Sequence, residues 1–283
     1  MNSRNDSEPN AWPAPAKLNL FLRVTGRRPD GFHELQTLFQ ILDWGDELRF
    51  LVNDSGQIGR IGHIDGIPES KDICIRAAQL LKTRSGVQKG VCIDLIKRIP
   101  MGAGLGGGSS DAATVLCALN QLWGCGFTRH QLAGMGLELG SDVPVFVNGY
   151  SAWAEGRGEK LQAVSLGKRY YLLVFPGLHI STADVFQHPS LKRDSEPLEM
   201  SPANLQPGRN DCEAVALRMH PELRNLIQEL SAWGRPCMSG SGSTFFLPFA
   251  SKKTANSAAS ELESRYTVRL VNGVDRSHLL DYL

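Results

Sequence analysis

The run Pro100-Met101-Gly102-Ala103-Gly104-Leu105-Gly106-Gly107-Gly108-Ser109-Ser110 offers the clearest chemistry in the chain. Six of the seven residues from Gly102 to Gly108 are Gly or Ala. The backbone there can approach a ligand closely and enter the left-handed region. Ser109 and Ser110 then open a helix, whose first N–H groups are unpaired and whose dipole favours an anion. Polyphosphate suits such a turn. Other glycine-loop chemistries fail on residue detail. A Walker A loop needs Lys after its last Gly, but Gly107 is followed by Gly108. A dinucleotide fold needs an acidic residue about 20 positions on, yet no Asp or Glu lies between Asp111 and Glu138. A nucleophile elbow needs a second Gly that neither Ser109 nor Ser110 has. A flexible linker would not feed into the helical series Ala112, Val115, Leu116, Leu119, Leu122 and Trp123.

Phosphoryl transfer also needs charge neutralisation and a group to take the nucleophile's proton. Asp142, in Ser141-Asp142-Val143-Pro144 beyond Gly140, reads as a general base or as a loop carboxylate capping the next turn. Lys17 and Asn19 share the polar face of a predicted strand, where Lys17 serves chemistry or simply meets solvent. Lys97 stands just before the loop and reads as a nucleotide contact or an exposed strand end.

The elements that must position these groups follow from periodicity. Lys17 to Val24 alternates as a half-buried strand, with Leu18, Leu20, Leu22 and Val24 on one face. Arg28-Pro29-Asp30-Gly31 is a turn, and strands follow over 33–42 and 47–52. Residues 53–70 read as loop with an edge strand. A helix over 73–83 closes at Gly86, and a strand runs from 91 to 99. Thr128 caps a helix that closes at Gly140. Further strands are predicted over 170–175, 244–249 and 267–271. Helices are predicted over 211–233, broken near Pro221, and over 252–265. Residues 188–210, with four prolines, read as irregular. The order is α+β, with halves at 1–160 and 161–283.

The chain of 283 residues has 42% hydrophobic and 21% charged residues, a globular balance. Its 30 basic and 29 acidic side chains nearly cancel, which argues against nucleic acid or a membrane surface as partner. Six cysteines form no C-x-x-C pair and no zinc spacing, so they read as buried free thiols in a reducing compartment. The N-terminal segment lacks an apolar leader, and no run reaches the ~18 apolar residues of a membrane span. A cytoplasmic protein without an obligate protein partner is expected.

With the loop read this way, the chain resembles the GHMP small-molecule kinases, named for galacto-, homoserine, mevalonate and phosphomevalonate kinases. PAKLNLFL (Pro15–Leu22), PMGAGLGGGSS (Pro100–Ser110) and MSGSGSTFF (Met238–Phe246) match the family's three motifs in order. The asparagine two after the lysine, RRPDGFHELQTLFQ and LGSDVPVF (Leu139–Phe146) resemble the branch acting on a cytidine-diphosphate-linked methylerythritol. The resemblance implies an N-terminal domain with a left-handed βαβ unit, a ferredoxin-like C-terminal domain and an active site between them. It implies ATP as phosphoryl donor, with Mg2+, and phosphorylation of the substrate's 2-hydroxyl in the non-mevalonate isoprenoid pathway. A homoserine or mevalonate kinase lacks the RPDGFHEL and GSDVPVF segments, and an inactive nucleotide sensor would have lost the lysine or aspartate.

By the same resemblance, Asp142 is the catalytic base and Lys17 keeps it ionised while offsetting phosphate charge. Asn19 bonds substrate or Asp142. Ser109 and Ser110 meet phosphate and magnesium, for which no carboxylate is a dedicated ligand, and Lys97 flanks the nucleotide. Phe32 stacks on the cytosine, where relatives often have Tyr, His33 reads its edge, and Phe186 supplies an opposing face. Gly240, Ser241 and Gly242 form a turn near the transferred phosphate. Asn210-Asp211 matches a family element but also reads as a helix cap.

Overall fold

The computed structural model describes residues 11–62 and 68–283. The leader reading falls largely on residues 1–10, and part of the 53–70 loop on 63–67. Both lie outside the described residues.

β1 (Trp12–Arg27) and β2 (His33–Asn53) pair antiparallel, with Lys17 opposite Ile41 and Asn19 opposite Phe39. The two strand runs predicted over 33–52 are one strand. It passes Gly45 close against β1, where a Cβ would meet the Ala14 carbonyl oxygen at 2.0 Å. β1 is not half-buried as its alternation predicts. Leu18 and Leu20 enter a core with Leu38, Leu42 and Tyr171, yet Lys17 and Asn19 are also buried. Their polar face is roofed by the phosphate loop and the Gly240 turn rather than by water, as the contacts below show.

β3 (Ile58–Arg60) and α1 (Ile73–Ser85) follow. The Asp72 carboxylate accepts the N–H groups of Cys74 and Ile75 at the start of α1, and Gly86 ends it at φ 71°. β4 (Gly90–Ile96) leads through the glycine loop into α2 (Gly107–Leu122). α3 (Arg129–Leu139) opens on a capping box between Thr128 and Gln131. α4 (Val143–Asn148), β5 (Ala152–Gly156) and β6 (Lys160–Ala163) complete this half. α1, α2, α3 and α4 bury their apolar sides together against β2 and β4.

The second half runs β7 (Arg169–Phe175), α5 (Thr182–Gln187), α6 (Glu213–Met219), α7 (Leu223–Leu230), β8 (Cys237–Met238), β9 (Phe245–Phe249), α8 (Lys252–Leu262) and β10 (Thr267–Val274). The sheet order is β3-β4-β2-β10-β7-β9-β8, with β1 and β5 also paired to β2. β10 lies along the whole of β7 and meets β2 at Leu42 and Ile41. One sheet therefore continues through both halves.

Asn210-Asp211 does more than cap a helix. Asn210 Nδ2 donates to the Met238 and Gly240 carbonyls, both at 2.8 Å, and Asp211 Oδ2 accepts the Val24 N–H at 2.9 Å. The pair pins the Gly240 turn to β1.

Candidate active site

A cavity of about 840 Å³ opens where the phosphate loop, β1, the start of β2 and α5 meet. Gly102, Gly104 and Gly106 of the loop have φ of 66°, 72° and 72°. Gly106 also has no room, since a Cβ would sit 2.8 Å from Phe146 Cζ and 3.0 Å from Lys17 Cε. At Gly104 a Cβ would lie 2.2 Å from the Ser239 carbonyl oxygen, because the Gly240 turn packs directly on the loop. Ser239 Oγ joins the two, donating to the Gly104 carbonyl at 2.9 Å and accepting the Asn19 N–H at 3.1 Å. The helix begins at Gly107, two residues before the serines expected to open it.

Lys17 Nζ stands under this loop. It lies 3.2 Å from Asp142 Oδ2 and 3.2 Å from the Gly104 carbonyl oxygen, and it donates to Asn19 Oδ1. Asn19 therefore braces Lys17 and not Asp142. Its Nδ2 donates to Thr37 Oγ1 at 2.9 Å, which fixes the amide's orientation. Asp142 occupies the N-cap position of α4 but makes no side-chain cap bond, so capping does not explain the carboxylate. Its side chain is 32% exposed and faces the cavity.

Lys97 is also on the wall, but its charge is committed. Its Nζ is paired with Asp46 and, at 2.9 Å, with Asp111. Asp46 Oδ1 accepts the N–H groups of Arg98 and Ile99, tying β2 to the entrance of the loop. Burial raises the Asp111 carboxyl to about 7, the Asp46 charge adds to this, and Lys97 opposes it. Asp111 Oδ1 is buried without a hydrogen-bond partner among the described residues. Burial works to lower the Lys97 pKa, but Asp111 and Asp46 outweigh it and the ammonium is held charged.

At the other end, the His33 and Phe186 rings lie 5.3 Å apart at 40°. Arg193 Nε donates to His33 Nε2 at 3.0 Å, and Arg193 Nη2 donates to the Phe186 and His188 carbonyls. Burial, with Arg193 and Arg27 nearby, lowers the His33 pKa. The ring is therefore neutral near pH 7, and its accepting Nε2 assigns the proton to Nδ1. Phe32 is 46% exposed. The Arg157 guanidinium covers it at 3.6 Å from the ring centroid.

Of the residues singled out in the sequence for the site, Gly242, Asn210 and Asp211 lie outside the cavity lining, and the rest line it except Ser110, which is fully buried and whose hydroxyl finds no partner among the described residues. Thr37, Asp46, Asp111, Arg157 and Arg193 were not singled out. Only Asp111, directly after the two serines, carried a positional signal.

Two family models match the chain, GHMP kinases N terminal domain over residues 72–150 and GHMP kinases C terminal over 192–268. A 4-diphosphocytidyl-2-C-methyl-D-erythritol kinase of Xanthomonas axonopodis pv. citri (strain 306) is 48% identical over 280 residues, covering 98% of this chain and 94% of that protein. The chain belongs to the GHMP kinases. Among solved structures, a 4-(cytidine 5'-diphospho)-2C-methyl-D-erythritol kinase superposes with a TM-score of 0.81 at 36% identity, over 94% of this chain and 100% of that one. A homoserine kinase from Cytophaga hutchinsonii superposes with a TM-score of 0.68 at 16% identity, over 98% of each chain, and shares the GHMP fold. The α+β, two-domain reading of the sequence agrees with these matches. Among the described residues, no helix is long and apolar enough to cross a membrane.

Proposed function

We propose that this GHMP kinase transfers the γ-phosphoryl group of ATP to the 2-hydroxyl of 4-diphosphocytidyl-2-C-methyl-D-erythritol, in the non-mevalonate route to isoprenoid precursors. One observation supports the reading most. A single cavity has a phosphate loop at one end and a neutral histidine flanked by phenylalanines at the other, joined through Lys17 and Asp142.

In this reading the residues Pro100 to Ser109 and Lys97 hold the nucleotide, with N–H groups of the loop and of the first turn of α2 cradling its phosphates. Asp142 accepts the proton of the attacking hydroxyl. Lys17, 3.2 Å from Asp142, offsets charge on the transferred group, while Asn19 keeps Lys17 aimed. Ser241, whose hydroxyl is 2.8 Å from that of Thr182, and Gly240 border the transferred phosphate. Magnesium fits a wall of this kind, because it takes one or two protein oxygens and completes its shell with phosphate and water. Ser109 puts a hydroxyl on the wall at the end of the phosphate loop, and the ion would neutralise charge on the phosphates. Residues 1–160 form the ATP side and 161–283 complete the substrate side.

Phe186 and Phe32 offer faces to the cytosine. His33 Nδ1–H would donate to the base's N3 or O2 edge, where uracil presents an N–H at position 3. ADP release should follow addition of the cytidylyl substrate and not of homoserine or mevalonate. Equal turnover of either small alcohol would sink the assignment.

A further inference from the structure

The cations on the cavity wall differ in how they are paired. Lys17 has Asp142, and Lys97 has Asp46 and Asp111. Arg157 has no carboxylate within 4.0 Å among the described residues, although it lines the same cavity and is only partly exposed. It sits in the turn between β5 and β6, between Gly156 and Gly158, which both have positive φ. Its backbone N–H is held by the Glu159 carboxylate. The side chain is placed at both ends of a short span. Its Cζ lies 3.6 Å from the Phe32 ring centroid, and its Nη2 donates to Ser141 Oγ at 3.3 Å, one residue from Asp142. Its Nε is buried and has no hydrogen-bond partner among the described residues.

Asp30, exposed and paired with Arg28, lies near enough to feel the Arg157 charge but makes no ion pair with it. A guanidinium taken partly out of water with no carboxylate in contact is unfavourable, and an unpartnered buried N–H adds to that cost. An arginine stacked on a ring still has its in-plane N–H fork available, and that fork matches phosphate oxygens. We propose that Arg157 grips the diphosphate of the nucleotide-linked substrate, which makes it a determinant of specificity. The inference rests on the function proposed above. In that substrate the diphosphate joins the ribose of cytidine to the polyol, so it must lie between the base at Phe32 and the hydroxyl at Asp142. Arg157 touches Phe32 and the neighbour of Asp142. Lys17 and Lys97 have carboxylates of their own, and Arg157 is the cation left for this charge.

The test uses the whole chain with its phosphate loop filled by a non-hydrolysable ATP analogue. Cytidine, CMP and CDP are then titrated by calorimetry into wild type, Arg157→Met and Arg157→Lys. Methionine keeps an apolar stem to cover Phe32 and removes the charge. Wild type should prefer CDP to cytidine, and the preference should shrink with added salt. Arg157→Met should weaken CDP about 10- to 100-fold while leaving cytidine within about twofold. Arg157→Lys should restore part of the loss. KM for the cytidylyl substrate should rise with the CDP loss, and KM for ATP should not. Equal losses for cytidine and CDP would reduce Arg157 to a prop for Phe32 and overturn the proposal. So would CDP affinity unchanged in Arg157→Met. If wild type fails to phosphorylate the cytidylyl compound yet shows the Arg157-dependent CDP preference, the reaction assignment falls and the diphosphate site stands.

Discussion

Lys17 Nζ and Asp142 Oδ2 lie 3.2 Å apart, the lysine buried and the aspartate one-third open to the cavity. The pair puts a fixed positive charge behind a carboxylate that a substrate can reach. Asp142→Asn keeps the shape and removes the base. It should lower kcat on the order of 10²-fold or more, with ATP affinity little changed. Single-turnover rates and ATP titrations check both halves, and near wild-type turnover would remove Asp142 from the chemistry.

The phosphate loop makes a separate prediction at Gly106. A methyl group there meets Phe146 and Lys17 and asks Ala to hold φ near 72°. Gly106→Ala should weaken ATP at least tenfold, about 1.4 kcal/mol, in a chain that still folds. Unchanged ATP binding in the folded variant would contradict the cradle.

In the proposed reading, base selection rests on His33 and Phe186. Stacking of a base on an aromatic is worth roughly 1–3 kcal/mol, so Phe186→Ala should cost about 5- to 150-fold in kcat/KM for the cytidylyl substrate. His33→Ala should narrow the preference for cytidine over uridine forms. Because Arg193 assigns the His33 proton, Arg193→Met should narrow it too. A variant pair that keeps full base discrimination would show that neither residue reads the cytosine edge.

Asp111 gives the protein a pH signature. Its carboxyl is raised from 3.8 to about 7, chiefly by burial. Between those values the native chain holds a proton that the unfolded chain has released. Stability from this group is therefore lost as pH rises through that window, and it levels off above it. Asp111→Asn removes the titration. The melting temperature of wild type, relative to this variant, should fall from pH 5 to pH 7 and change little beyond pH 8. A constant difference across that range would mean that Asp111 is ionised throughout.

The phosphate loop, the caps at Thr128 and Gly86 and the strand from Lys17 were legible because each is a local signal in residue type and spacing. The burial of both faces of β1 was not. Lys17 and Asn19 look like a solvated face until the Gly240 turn, more than 200 residues away in sequence, is folded over them: Ser239 lies 220 positions from Asn19. Arg193 lies in an irregular stretch and meets His33 across 160 residues, so no periodicity announces it. Arg157 looks like an ordinary turn residue beside two glycines. Its meaning comes from the carboxylates it lacks, which is a property of the assembled cavity.

The position of β10 has a consequence for synthesis. It is the last strand in the chain, yet it lies between β2 and β7 in the middle of the sheet. A nascent chain can pair β1 with β2 early, but it cannot seat β7 against the first half until Thr267 to Val274 have left the ribosome. The cleft proposed to hold both substrates is therefore assembled only once β10 has emerged, and a chain stopped at residue 266 should bind neither ligand. Pulse proteolysis of arrested chains should find protection of the second half only once β10 is released, and protection before that point would mean the halves dock without it.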